Sequence, residues 1–160
     1  MAHKARVLFV CVHNSARSQL AEAYLRKLAG NSFEVESAGI EAGSLNPYVV
    51  RVLAEEGIDI SGKKTQEVAE LYRAKRTFEY VVTVCSKEAE ERCPFFPGLI
   101  ERQNWPFPDP ATFAGGDEQI MSQTRLLRDQ IKHRVERFVE QHRSQGRWSS
   151  RRERSFPASP

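Results

Sequence analysis

Apolar residues along the chain follow two different periods, and the switches between them mark its elements. Residues 6–12, centred on Val7-Leu8-Phe9-Val10, are a continuous apolar run, which predicts a strand buried on both faces of a parallel sheet. From Arg17 to Ala29 the pattern becomes helical: Leu20, Tyr24 and Leu28 recur every four residues, and Gly30 stands where a helix would stop. Phe33 to Ile40 alternates Phe33, Val35 and Ser37 against acids, a second strand. Asn46-Pro47 combines a capping residue with a proline at the first helical position, so a helix runs from there to about Glu56, ended by Gly57. Ile58-Asp59-Ile60 is a short extended piece, and Thr65 is placed to cap a third helix through about Arg73.

The second half repeats the scheme. Tyr80 to Val84 is a β-branched run, a third strand, with Cys85 at its C-terminal end. Residues 86–98, rich in charge and proline, read as a loop carrying Cys93, and Leu99 to Trp105 as a short fourth strand. Pro106, Pro108 and Pro110 make 106–116 a loop. Gly115-Gly116-Asp117 opens a last helix over about 117–142, with Ile120, Leu127, Ile131, Val135 and Phe138 as its apolar stripe. Strands alternate with helices, so the expected fold is α/β: a three-layer sandwich around a central, mainly parallel four-stranded sheet. Ligands of such sheets bind beyond the carboxyl ends of the strands. Cys11 and Cys85 both end strands at that edge, and the loop holding Asp109 opens on the same side.

Composition changes this picture little. The chain has 160 residues, 40% hydrophobic and 28% charged, which suits one globular domain. Its formal charge of +3 is unevenly placed. From Arg143 onward five arginines (143, 147, 151, 152, 154) face one acid, Glu153, so this end carries +4 and the rest of the chain −1. The expected organisation is a single domain over 1–142 and a basic, disordered tail over 143–160. A near-neutral domain does not suit nucleic-acid binding. No apolar run reaches the ~20 residues of a membrane span, and no leader precedes the first strand, so the expected location is the cytoplasm.

The candidate chemistry lies between Cys11 and Ser18. Val12, His13, Asn14, Ser15 and Ala16 form a loop short enough for successive amides to face an anion. The following helix adds its N-terminal positive end, and Arg17 offers a two-pronged fork to the oxygens. This field favours a thiolate at Cys11, and Ser18 is placed to donate a hydrogen bond to the sulfur. Asn14 suits a left-handed loop position, and His13 is expected to face solvent. Three cysteines, at 11, 85 and 93, point to redox or nucleophilic use rather than a structural disulfide framework. Cys85 and Cys93 lack zinc-ligand spacing, and the four histidines form no cluster. Asp109, before Pro110, reads on its own as a turn former.

Cys11-Val-His-Asn-Ser-Ala-Arg17-Ser18-Gln-Leu-Ala-Glu22 resembles the phosphate-binding loop of the low-molecular-weight protein tyrosine phosphatase fold. The Asn-Ser-x-Arg-Ser-Gln-x-Ala-Glu run within it resembles the thioredoxin-coupled arsenate reductases. The likeness continues through Ser37-Ala38-Gly39, Gly57 to Ser61, Val81 to Cys85 and Trp105 to Pro110, over about residues 5–140. It implies that Cys11 attacks arsenate held by the loop and Arg17, with Asp109 as general acid. Cys85 then attacks Cys11 and Cys93 attacks Cys85. Thioredoxin, an external reductant rather than a bound cofactor, reopens the Cys85–Cys93 disulfide.

Phosphate and sulfate would compete for the loop, and the protein is expected to be a monomer. Some such reductases bind potassium through an Asn, a Glu, a Ser and an acid. Asn14, Glu22 and Ser37 match three, but Thr65-Gln66 stands where the acid is expected, and no metal is anticipated. The polar stretch between Cys85 and Cys93 suits a mobile, solvent-facing segment. It also reads as a helical turn or two, in which case the relay requires partial unwinding on oxidation. The alternatives are a tyrosine phosphatase using Cys11, Arg17 and Asp109 alone, and a redox-sensing or anion-binding protein without turnover.

Overall fold

The computed structural model describes the backbone of residues 3–155 and the side chains of residues 3–143. Four strands, β1 (Ala5–Cys11), β2 (Phe33–Gly39), β3 (Tyr80–Thr83) and β4 (Glu101–Asn104), form one sheet in the order β2-β1-β3-β4. Every pairing is parallel, running from Ala5↔Phe33 to Cys11↔Gly39 on one side of β1 and from Val7↔Tyr80 to Val10↔Thr83 on the other. The chain first winds from β1 outward to β2, then returns across β1 to lay down β3 and β4. The order therefore reverses between β1 and β3, and the crevice beyond their carboxyl ends is where this architecture binds ligands. Cys11 closes β1 and Cys85 lies two residues past β3, so both reach that crevice.

Alternation along β1 separates two apolar layers. Val7, Phe9 and Cys11 face one layer, packed by α1 (Arg17–Ala29), α2 (Pro47–Ala54) and α5 (Asp117–Ser155). Leu8 and Val10 face the other, with Val68 and Leu71 of α3 (Val68–Arg73), Phe78, Val81, Cys93 and Phe96. All four residues from Val7 to Val10 are fully buried, as a run apolar on both faces requires. Asn46 caps α2 as its chemistry dictates, accepting from the amides of Tyr48 at 2.8 Å and Val49 at 3.3 Å. Arg128 ties α5 to α2 through the Val52 carbonyl at 2.9 Å and the Glu55 carboxylate at 2.8 Å.

Several boundaries differ from the sequence expectation. The third helix begins at Val68 without a side-chain cap, because Thr65 instead donates its hydroxyl to the Gly43 carbonyl at 2.6 Å. β4 is confined to Glu101–Asn104. A short helix, α4 (Lys87–Glu90), replaces the first part of the expected 86–98 loop; Ser86 caps it, accepting from the Ala89 amide at 3.3 Å. On α5 the buried face includes Met121 and Thr124 beside Leu127, Ile131, Val135 and Phe138, while Ile120 is only half-buried. This helix runs past the expected end at 142 to Ser155. Its continuation holds five arginines, which are good helix formers, and no proline intervenes before Pro157. The expected disordered tail thus has helical backbone to Ser155, and residues 156–160 lie outside the described residues.

Candidate active site

The loop after β1 is built by its carbonyls. Those of Cys11, Val12, His13 and Ser15 accept from the amides of Ile40 at 3.0 Å, Glu41 at 2.8 Å, Gly43 at 2.9 Å and Asn46 at 2.9 Å. Among the described residues, the amides of Val12 through Arg17 find no protein acceptor. Helix α1 starts on Ala16 without a side-chain cap. Donors left free on one loop and one helix N-terminus are the physical basis of an anion site. Gly39 permits the packing: a Cβ there would stand 2.7 Å from the Asn14 nitrogen, 2.7 Å from the His13 carbonyl carbon and 2.9 Å from the Val12 oxygen.

Asn14 organises the loop from inside. It is fully buried with φ of 56°, the left-handed conformation Asn tolerates. Its Nδ2 donates to Ser18 Oγ at 2.8 Å and Ser37 Oγ at 2.9 Å. Its Oδ1 accepts from the Gln66 amide at 3.1 Å and Gln19 Nε2 at 3.2 Å. The Ser18 oxygen thus already receives a proton from Asn14. Its own hydroxyl proton is free to point at Cys11 Sγ, 2.9 Å away. Ser37 donates its hydroxyl to Glu22 Oε1 at 2.5 Å. Glu22, 1% exposed, is balanced by Lys63 Nζ at 2.6 Å from Oε1 and Arg26 Nη2 at 2.7 Å from Oε2. Two cations on this carboxylate, and Gln66 Nε2 donating to the Ser37 carbonyl at 2.9 Å, do not fit a resident potassium ion.

The remaining site residues arrive from other loops. Arg17, buried at 6% exposure, donates from Nη1 to the Phe107 carbonyl at 3.2 Å and holds Nη2 4.0 Å from Asp109 Oδ2. Asp109 is thereby brought to the mouth of the loop. Its Oδ1 accepts from the Ala111 amide at 2.9 Å, opening a single 3-10 turn at Pro110–Thr112. Its turn chemistry and its place at the site coexist. Half-buried Val12 and Ser15 and buried Ala16 complete the loop. His13 is exposed, its Nδ1 3.1 Å from the Glu41 carbonyl oxygen.

All three cysteines are free and buried. Burial pushes the Cys85 thiol up to about 11; the neighbouring Cys11 adds to this and Arg17 opposes it. Cys85 packs in the Phe9 layer with Cys11, whereas Cys93 packs in the Leu8 layer on the other face of the sheet. Cys93 is 4% exposed, and burial pushes it also to about 11, against a downward pull from Arg102. Ser86, Lys87, Glu88, Glu91 and Arg92 do face solvent, but the expectation of an accessible third thiol is corrected. Phe96, three residues further on, packs edge-on against Phe78 at 5.2 Å and anchors the segment in the core. Lys63 and Gln66 support the site but carried no catalytic signature in the sequence, because each acts through a neighbour distant in the chain; Ser37 and Gly39 stand out there only as part of a shared motif.

Comparison with known proteins agrees with this geometry. Residues 6–147 match the low molecular weight phosphotyrosine protein phosphatase family. An arsenate reductase of Bacillus licheniformis is 39% identical over 140 residues, covering 86% of this chain and 96% of the relative. A solved arsenate reductase in its phosphate-binding state superposes with a TM-score of 0.70 at 28% identity, covering 86% of this chain and 98% of that one. The thioredoxin-dependent arsenate reductase of Corynebacterium glutamicum superposes at 0.67 with 30% identity, covering 88% of this chain and 62% of that one. Matched along almost its whole described length, the chain belongs to the low molecular weight phosphotyrosine protein phosphatase family, with arsenate reductases among its relatives.

Proposed function

We propose that this protein reduces arsenate to arsenite through Cys11, Cys85 and Cys93 and is returned to its reduced form by thioredoxin. The observation that carries this reading is the position of Cys85. It stands past the end of β3 at the carboxyl edge of the sheet, where Cys11 ends β1, and it packs in the same apolar layer as Cys11. A phosphatase needs Cys11, Arg17 and an acid, and has no use for a second thiol there.

The chemistry follows from the parts. The loop amides and Arg17 hold the oxyanion, and the Cys11 thiolate displaces one oxygen to form a sulfur–arsenic bond. Asp109 protonates the departing oxygen so that it leaves as water. Cys85 then attacks Cys11 Sγ. The electron pair of the sulfur–arsenic bond passes to arsenic, arsenite leaves, and a Cys11–Cys85 disulfide remains. Cys93 attacks Cys85 Sγ, freeing Cys11 and forming the Cys85–Cys93 disulfide that thioredoxin reduces with two electrons. Exchange needs a thiolate with access to the disulfide, and Cys93 is buried in the opposite layer. The α4 segment must therefore unwind, which four helical residues resist only weakly.

The test is arsenate-dependent NADPH oxidation in the presence of thioredoxin and its reductase. It should be seen with the unaltered protein and vanish in Cys11→Ser, Cys85→Ser and Cys93→Ser variants. Full multiple turnover by Cys93→Ser would refute the three-cysteine relay.

A further inference from the structure

Cys93 is held in place by one side chain from a neighbouring strand. Arg102 lies opposite Val81 in the β3–β4 register, so it emerges on the sheet face that carries Val81, Leu8 and Cys93. Its guanidinium closes the far end of the α4 segment. Nη1 donates to the carbonyls of Cys93 at 3.0 Å and Pro94 at 3.5 Å, and Nη2 donates to the carbonyl of Glu90, the last residue of α4. Nε stands 3.3 Å from Glu90 Oε1, within ion-pair range but not aligned as a hydrogen bond. The plane of the group covers the ring of Phe95 at 4.4 Å. With a side-chain exposure of 11%, this is an interior contact rather than a surface ion pair.

Such a grip is unusually concentrated. A four-residue helix has no stability of its own, and its C-terminal carbonyls need partners. Ser86 supplies the cap at one end, and Arg102 supplies the other end together with the two carbonyls that follow. The segment's other arginine contact, Arg92 to Glu41 at 2.9 Å, is solvent-exposed on both sides, and pairs of that kind contribute little.

Building on the relay proposed above, we propose that Arg102 is the positioning residue of the third cysteine: it clamps the 90–95 segment over Cys93 in the reduced protein, and release of this clamp delivers Cys93 to Cys85. In the step it controls, the Cys93 thiolate attacks Cys85 Sγ. The Cys85–Cys93 bond forms as the Cys11–Cys85 bond breaks, and Cys11 leaves as a thiolate with no net oxidation. By keeping Cys93 in the opposite layer until then, Arg102 prevents a Cys85–Cys93 disulfide from forming before the anion has been reduced.

The experiment is alkylation of the reduced, full-length protein with iodoacetamide, following each cysteine by peptide mass spectrometry. Arg102→Met should alkylate at Cys93 at least tenfold faster than the unaltered protein. Arg102→Lys, which keeps the charge but not the fork, should fall between them. Arg92→Met should stay within twofold. Cys11 should keep its rate and its protection by phosphate in every variant. A Cys93 rate in Arg102→Met within twofold of the unaltered protein overturns the clamp. So does an equal acceleration of Cys11 and Cys93, which would mean that Arg102 supports the whole fold. Turnover by Cys93→Ser strikes the relay alone, whereas unchanged alkylation strikes the clamp alone.

Discussion

Replacing Asn14 by alanine tests the loop at its centre. The change deletes two donated hydrogen bonds, to Ser18 and Ser37, and two accepted ones, from the Gln66 amide and Gln19. Gln19 Nε2 keeps the Asn14 carbonyl at 3.0 Å, so its loss is small. The Gln66 amide is left without its acceptor in a half-buried place, which costs about 1–3 kcal/mol. The two donors to serine contribute about 0.5–1.5 kcal/mol each. Alanine held at a φ of 56° adds about 1–2 kcal/mol of backbone strain. These contacts belong to one network and do not simply add, so the expected loss is about 3–5 kcal/mol.

Urea denaturation measures that loss, and titration with phosphate measures the site, where affinity should fall at least tenfold. Asn14→Gly relieves the strain but not the lost bonds. It should recover part of the alanine deficit and remain at least about 1 kcal/mol below the unaltered protein, from the Gln66 amide alone. A glycine variant as stable as the original would refute the claim that the side chain holds the loop. An alanine variant with unchanged phosphate affinity would refute the claim that the loop's shape makes the site.

Alkaline pH should weaken the fold through its buried thiols. Cys85 and Cys93 are pushed up to about 11 when folded, against about 8.5 in an unfolded chain. Between these values the unfolded state has released protons that the folded state keeps, so stability falls as pH rises, by roughly 3 kcal/mol per cysteine across the window. Urea midpoints between pH 8.5 and 10 check this, and the slope should flatten in a Cys85→Ser, Cys93→Ser double variant; an unchanged slope would show that other groups cause it. Gly39→Ala places a Cβ against three backbone atoms of the loop, so phosphate binding should be lost along with about 1–3 kcal/mol of stability. Retained affinity in a titration would contradict the close approach. Asp109→Asn should lower arsenate turnover by about 10²–10⁴-fold while phosphate affinity changes only a few-fold; undiminished turnover would remove Asp109 from the protonation step.

The sequence by itself determined everything that depends on short spacing. A continuous apolar run announced β1 because both of its faces are buried. Five residues between Cys11 and Arg17 announced an anion loop because no other short segment brings a thiol, a row of amides, a guanidinium and a helix start together. Asn46-Pro47 announced α2 because a cap acts within three residues of itself. The alternation of strands and helices announced the parallel sheet, and with it the edge where Cys11 and Cys85 meet.

What only the tertiary structure decided lies across the chain rather than along it. Thr65 reads as a helix cap, yet Gly43 claims its hydroxyl. Lys63 has no local reason to balance Glu22, and Gly39 no local reason to be small, until β2 is laid beside the loop. The polar residues after Cys85 suggest an open segment, but Phe96 and Arg102 draw Cys93 into the core. Periodicity, caps and turn chemistry are encoded within a few residues of each other. The burial of a thiol, the balance of a buried charge and the grip on a segment are decided by which distant side chains fill the same space.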